Sequence, residues 1–372
     1  MLGGFAAAFA IVLFVTAHEA GHFFAAKAVG MKVTHFFFGF GPKIWSTQRG
    51  ETEYGFKWIP LGGFVRIVGM NPLEEVEPTD LGRTYREKKF WEKSFVVLAG
   101  VGTNFLIAFL MFYGLVLAQG VPTPQLEVDS VVPMVEVEGV TQPSPAASAG
   151  IQDGDVIVSI DGMATNDWDD VEEALAAAGG GPAEIVVERN GELITMEAVL
   201  IEQPSSERPG ATTGFLGVSP VVVVEPVGPV QAVGLAGRAV WGGIENTFLS
   251  LAEMLRPSNI AQYLGVLVGN TDVDEQIRPV SPIGIVNIGS QMESATAFIG
   301  ILALVNVILA TLNLLPLYPL DGGHFAVALY EKVTHRQANV ARMMPVAAAV
   351  IILFGFLGVV AIILDIVNPI SL

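Results

Sequence analysis

At 372 residues the chain is long enough for two or three domains. Its 52% hydrophobic and 15% charged residues, with a mean hydropathy of +0.56, exclude an ordinary soluble protein. A formal net charge of −18 argues against nucleic acid as a partner, because phosphate binding needs clustered positive charge, and the lack of cysteine excludes thiol catalysis, disulfides and cysteine-bound zinc.

The apolar residues are bunched into four stretches near the twenty residues that a bilayer-crossing helix requires. They are Leu2 to Gly30, Phe95 to Ala118, Phe298 to Leu315 and Met344 to Val367. The first has no basic n-region and runs into a polar motif, which counts against a cleaved signal peptide. The fold class expected is a polytopic α-helical membrane protein with about four transmembrane helices. To these it adds a membrane-associated β segment and one extracytoplasmic α+β domain. The expected segments are 1–30, 31–94, 95–119, 122–203, 204–297, 298–318, 319–343 and 344–367.

Val33 to Val68 reads as β structure, rich in aromatics and punctuated by Gly39, Gly41, Pro42, Gly50, Pro60, Gly62 and Gly63. Asn71 to Glu92 is charged and reads as a surface loop. Residues 122–203 hold strand, helix and hairpin signals, the last around Asn190-Gly191. Pro204 to Pro209 reads as a linker. Val230 to Leu255 reads as an amphipathic helix lying on the membrane surface or packed on the external domain. Asn259 to Pro282 is turn-rich and gives no assignment.

Charge sets the expected orientation. Residues 121–297 carry 25 acidic and 5 basic residues, whereas Lys27 together with 31–93 carries 11 of the 19 Lys and Arg. The positive-inside rule therefore puts 31–94 and 319–343 in the cytosol and the acidic region outside. No nucleotide-binding motif is present, so dependence on ATP is not expected.

The chemistry centres on His18-Glu19-Ala20-Gly21-His22. On a helix, positions i and i+4 share a face, so His18 and His22 can offer imidazole nitrogens to one metal ion. A catalytic zinc takes three protein ligands and leaves one place to water, whose proton Glu19 is placed to accept. Ionisable residues inside a hydrophobic span are costly and point to function. Candidates for the third ligand are His35, His324, His335, Asp321, Glu331 and Asp365. Asp321 falls at the depth of His22, and His324, one turn away, competes with it. Asp365 lies at the far end of the fourth span. Asp321 could also serve only to cap the short helix that follows.

HEAGH in a first span, followed by Asn313-Leu-Leu-Pro316-Leu-Tyr-Pro319-Leu-Asp321-Gly322, resembles the site-2 protease family of intramembrane zinc metalloproteases, most of all its actinobacterial members. Gly39-Phe-Gly-Pro-Lys-Ile-Trp45 with Pro60-Leu-Gly-Gly-Phe64 resembles the family's β segment. Ala99-Gly-Val-Gly-Thr-Asn104 resembles its second-helix motif, with Val101 where proline is common. Pro145 to Gly150 with Gly154 to Gly162 resembles a PDZ domain. The resemblance implies Zn2+ as cofactor, His18, His22 and Asp321 as ligands, Glu19 as catalytic base, and Asn313 and Pro316 as substrate-facing. It implies regulated intramembrane proteolysis in a bacterial cytoplasmic membrane. The expected substrates are single-span membrane proteins, anti-sigma-factor-like, or signal-peptide remnants. The β segment between Val33 and Val68 is expected to offer an edge that takes an unwound substrate as an added strand, with Tyr54 to Trp58 as the stretch to probe by proline substitution. A scaffold that binds clients through its PDZ domain, and a metal transporter, are the competing classes. The intact His, Glu and Asp set counts against the first, and a single ionisable cluster against the second.

Overall fold

The computed structural model describes residues 2–71, 74–137, 139–204, 212–274 and 277–370. In chain order the elements are α1 (Leu2–Ala28), β1 (Val33–Arg49), β2 (Thr52–Ile67), α2 (Phe90–Gln119), β3 (Val121–Val131), β4 (Met134–Val137) and β5 (Val140–Pro143). Next come α3 (Pro145–Ala149), β6 (Val156–Ile160), β7 (Met163–Ala164), α4 (Trp168–Ala178), β8 (Gly181–Arg189), β9 (Glu192–Pro204), β10 (Thr212–Phe215) and β11 (Val218–Glu225). The chain closes with α5 (Pro229–Met254), α6 (Pro257–Leu267), α7 (Pro282–Gln291), α8 (Ala295–Leu314), α9 (Asp321–Thr334) and α10 (Val340–Val367). It divides into one compact unit of Met1–Ala118 with Pro229–Leu372, and a second of Gln119–Gly228.

In the first unit, α1, α2, α8 and α10 are the four helices among the described residues that are long and apolar enough to cross a membrane. No more than 33% of any of their most apolar windows is covered by protein, as expected where lipid is the solvent for the rest. Small residues set the spacing between helices. A Cβ at Gly21 would overlap the Ala99 carbonyl and Thr103 of α2, and one at Gly3 would overlap the Gly289 carbonyl of α7. The third span, α8, starts at an N-cap, where Ser294 accepts from the Ala297 N–H. The stretch expected to be an amphipathic surface helix is α5, and its buried Ala232, Ala236, Gly243 and Thr247 form a face. Gly243 of that face approaches Val307 of α8. The unassigned stretch after Asn259 contains α6, whose buried Tyr263 packs with Leu357, Val360 and Leu364 of α10. Its hydroxyl donates to the Ile277 carbonyl at 2.7 Å.

β1 and β2 form one irregular hairpin that folds back on itself. Phe36, Phe37 and Phe38 pair on one side with Val65, Phe64 and Gly63, and on the other with Tyr54, Gly55 and Phe56. The last three pair again with Thr47, Ser46 and Trp45. The stretch to probe, Tyr54 to Trp58, is therefore occupied on both sides from Tyr54 to Phe56. Aromatic content marked the strands but could not reveal this second pairing. Gly63 to Ile67 pair on one side only among the described residues.

In the second unit the sheet runs β10-β9-β8-β6-β3-β11, with β7 beside β6. The hairpin expected at Asn190-Gly191 forms, both residues at positive φ (52° and 84°), as a tight two-residue turn between β8 and β9 demands. Ile157, Ile160, Ile185, Val187, Val171 and Leu200 make its core with α4. This unit continues past residue 203, because β10 and β11 return to the same sheet after the expected linker. Residues 205–211 of that linker lie outside the described residues.

Candidate metal centre

Residue placement begins with α1. Its helical period puts His18 and His22 on one face, and both are buried, 7% and 5% exposed. Their rings meet edge to face with centroids 4.7 Å apart. Gly100 of α2 makes room for this, since a Cβ there would overlap the His22 ring. Asp321 arrives from the other direction, at the first position of α9. Gly322 and Gly323 allow the chain to double back so tightly that a Cβ at either would overlap backbone at Leu314 or Leu317–Tyr318. The N-cap of α9 is Leu320, with no side-chain cap bond, so the capping role considered for Asp321 is not the one it plays.

Three donor atoms converge. His18 Nε2 and His22 Nε2 are 3.1 Å apart, and Asp321 Oδ2 lies 3.0 Å from the first and 3.2 Å from the second. Zinc bonds of 2.0–2.1 Å in a tetrahedron give ligand spacings of roughly 3.3 Å, so the three atoms fit one face of such a site. His22 Nδ1 is 2.8 Å from the Val96 carbonyl, and donation there fixes the tautomer that leaves Nε2 as a lone pair. That lone pair faces a carboxylate oxygen, an arrangement a shared cation resolves. Burial works to neutralise Asp321, but the contacts from His18 and His22 outweigh it and hold the carboxyl well below the usual carboxylate range. The donor set, two imidazoles and one carboxylate, suits zinc.

Glu19 points to the β segment. Its Oε2 accepts from the Val65 N–H at 2.9 Å, and Gly63 lies beside its Cγ. Sequence reasoning did not find the Val65 and Val96 backbone partners, because main-chain donors and acceptors leave no mark in residue type. Asn313 donates to the Leu309 carbonyl one turn earlier at 3.1 Å, and Pro316 is exposed; neither joins the three donors.

The competing candidates lie elsewhere. His324 lies against Tyr318 with the rings tilted by 60° and centroids 4.8 Å apart, and burial holds its imidazole below the ordinary range. His35 sits by Thr34 and Glu53, His335 ends α9 in the left-handed region, and Glu331 pairs with Lys93 at 3.1 Å. Asp365 is tied to Arg278 at 3.1 Å and to the Ser281 N–H at 2.7 Å, fully buried.

Comparison with known proteins gives the family of the chain. The model for Peptidase family M50 matches residues 6–358. The chain is 34% identical over 400 residues to the zinc metalloprotease Rip1 of Mycobacterium bovis, covering 98% of this chain and 97% of that protein. It is 34% identical to Rip1 of Mycolicibacterium smegmatis with the same coverage. Against a putative zinc metalloprotease of Clostridium perfringens, identity is 29% over 97% of this chain and 98% of the relative. With two of its donors on a helix long and apolar enough to cross a membrane and the third just beyond another, the chain belongs to peptidase family M50, the site-2 proteases, and is a zinc metalloendopeptidase of the membrane.

Proposed function

We propose that His18, His22 and Asp321 hold the zinc ion and that Glu19 is the base that activates water against a peptide bond of a membrane-embedded substrate. The convergence of three donor atoms within 3.0–3.2 Å carries this reading. When bound, zinc supplies a Lewis acid for the scissile carbonyl and lowers the pKa of water at the site.

The residues of the chain then divide the work. Glu19 accepts the proton of the attacking water and returns it to the leaving amine, as a general base turned general acid. The Val65 N–H holds its carboxylate in one orientation. Val96 holds His22 through Nδ1. A helical peptide bond is shielded by its own hydrogen bond, so the substrate must unwind. Gly63 to Val65, unpaired on the side that meets Glu19, is the stretch to which an extended substrate adds. Asn313, in the last turn of α8, and Pro316, in the bend that leads to Asp321, line the approach.

Substrates in this reading are single-span membrane proteins, anti-sigma-factor-like, or signal-peptide remnants, cut in regulated intramembrane proteolysis. The second unit acts as a PDZ domain on the extracytoplasmic side, with the active site toward the cytosol, an orientation supported by the uneven charge of the loops. A groove of about 790 Å³ between α4 and the start of β11, lined by Trp168, Glu172, Leu175, Val218 and Pro220, has the form that admits an extended peptide. Replacing Gln119–Gly228 by a short linker separates filter from recruiter. A filter predicts that untrimmed substrate is now cut, and a recruiter predicts that cleavage is lost.

Cleavage of a tagged single-span reporter, co-expressed with wild type or Glu19→Gln, tests the central claim. Wild type should yield the fragment, and Glu19→Gln should reduce it by at least ~10² while still retaining zinc. Equal cleavage by both would sink the assignment.

A further inference from the structure

His22 has an outer partner for its second ring nitrogen; His18 has none. Its Nδ1 is buried and without a hydrogen bond. Three other polar side chains inside the described spans share that condition: Ser94 near the start of α2, Asn104 further along α2, 1% exposed, with its Oδ1 unpartnered, and Asn306 on α8, fully buried, with both Oδ1 and Nδ2 unpartnered. Unpaired amides inside a membrane protein are costly, and buried polar groups there are seldom idle.

Helix register puts His18, Asn104 and Asn306 at one level. Gly100 faces His22, and Gly21 faces Ala99 and Thr103, so α1 and α2 run past each other in opposite senses. One turn further along, Asn104 comes opposite His18. On the other flank, Ala10 and Phe14 of α1 pack with Leu302 of α8, and Ile107 and Met111 of α2 close the same cluster. Because Asp321, just beyond the end of α8, meets His18 and His22, α8 runs in the same sense as α1. One turn from Phe14 and Leu302 toward the centre lie His18 and Asn306. At the level of the first ligand one imidazole and two amides drawn from three spans therefore interrupt the apolar packing, which on α8 resumes at Leu309.

We propose that Asn104 and Asn306 are the positioning residues of His18: the three groups share one level without being bonded to one another in this structure, and a turn of the amides would let them receive its Nδ1–H and fix the tautomer and ring orientation in which Nε2 faces the metal. This rests on the ligand assignment proposed above. The physical ground is the rule that a ligating imidazole donates its other N–H to an outer acceptor, whose loss costs about 10–100-fold in metal affinity. Two carboxamides are apt acceptors, being neutral. A carboxylate in the same place would add a further charge to a buried site.

Zinc affinity of the purified full-length protein in detergent, measured by chelator competition, tests the proposal. Asn104→Leu and Asn306→Leu should each weaken zinc binding by about tenfold or more. Asn104→Asp, which keeps an acceptor, should restore most of it. Thermal unfolding of the zinc-stripped proteins should show the leucine variants no less stable than wild type, because a purely structural role predicts the reverse. Replacing zinc by cobalt should give a visible spectrum that changes in the leucine variants and recovers in Asn104→Asp. His18→Ala is the companion measurement. If it leaves zinc affinity intact, the ligand assignment itself fails. If it abolishes binding while both leucine variants bind zinc as wild type does, the positioning role is overturned and the ligand assignment stands.

Discussion

Gly100 shows how one missing methyl can govern a metal site. It lies on α2 where the His22 ring passes, and no side chain fits between them. Gly100→Ala should displace the imidazole and weaken zinc binding by tenfold or more, with about 1–3 kcal/mol of overpacking strain. Chelator competition on the purified variant checks this, and zinc affinity equal to wild type would count against it. The same residue scale explains what the sequence made legible. His18, Glu19, His22 and Asp321 stand out because charged and imidazole groups in an apolar span have few other uses. Residue type and depth left Asp321 and His324 in competition; the family resemblance pointed to Asp321, and the structure brings Asp321 to the two histidines. The partners of His22 and Glu19 were invisible because they are backbone atoms.

At the scale of elements, the β segment was readable as strands from its aromatic and β-branched residues, but not in its pairing. A period of two says which residues alternate, not which neighbour each face of the backbone meets. The consequence is practical. Tyr54 to Phe56 are held on both sides, so proline there breaks the sheet and informs little about substrate. Val65 is the informative position. Val65→Pro removes the one N–H that Glu19 accepts and should lower reporter cleavage by ~10² with zinc retained, whereas Val65→Ala should cleave nearly as wild type. Equal activity of the two variants would show that this bond does not orient the base. The helices were the easiest elements to read, since twenty apolar residues leave little choice. α5 was the exception: its buried face of alanine, glycine and threonine is built for a neighbouring helix, which an amphipathic pattern alone does not distinguish from a membrane surface.

At the scale of the whole molecule, the two units obey different solvents and should answer separately to their conditions. The second has its own core and a charge pair whose carboxylate is buried. Arg189 reaches Asp155 at 2.7 and 2.8 Å, and its guanidinium, aided by the Gln152 N–H, holds the Asp155 carboxyl below its usual value. A carboxyl whose folded value is depressed stabilises fully above its unfolded value, about 3.9, and loses that contribution as pH falls below it. Thermal unfolding of the isolated second unit should therefore become less favourable to the fold as pH falls from about 5 to 3. Asp155→Asn should flatten that slope, and a slope unchanged in the variant would assign it to other carboxylates. The boundary of this unit was misjudged from sequence because a polar, proline-containing run interrupts it, and β10 and β11 rejoin the sheet only through pairings distant in the chain.

The bond from Val65 to Glu19 also bears on how such an enzyme can change over time. Its donor is an amide that nineteen of the twenty amino acids supply, so under the role proposed for Glu19 the aim of the base is inherited through the path of the chain and not through any one side chain. Val65 packs on the core beneath the hairpin, so its position can exchange among apolar side chains while that bond stays in place. On the strand proposed to receive substrate, a lineage can in this way retune the fit one substitution at a time.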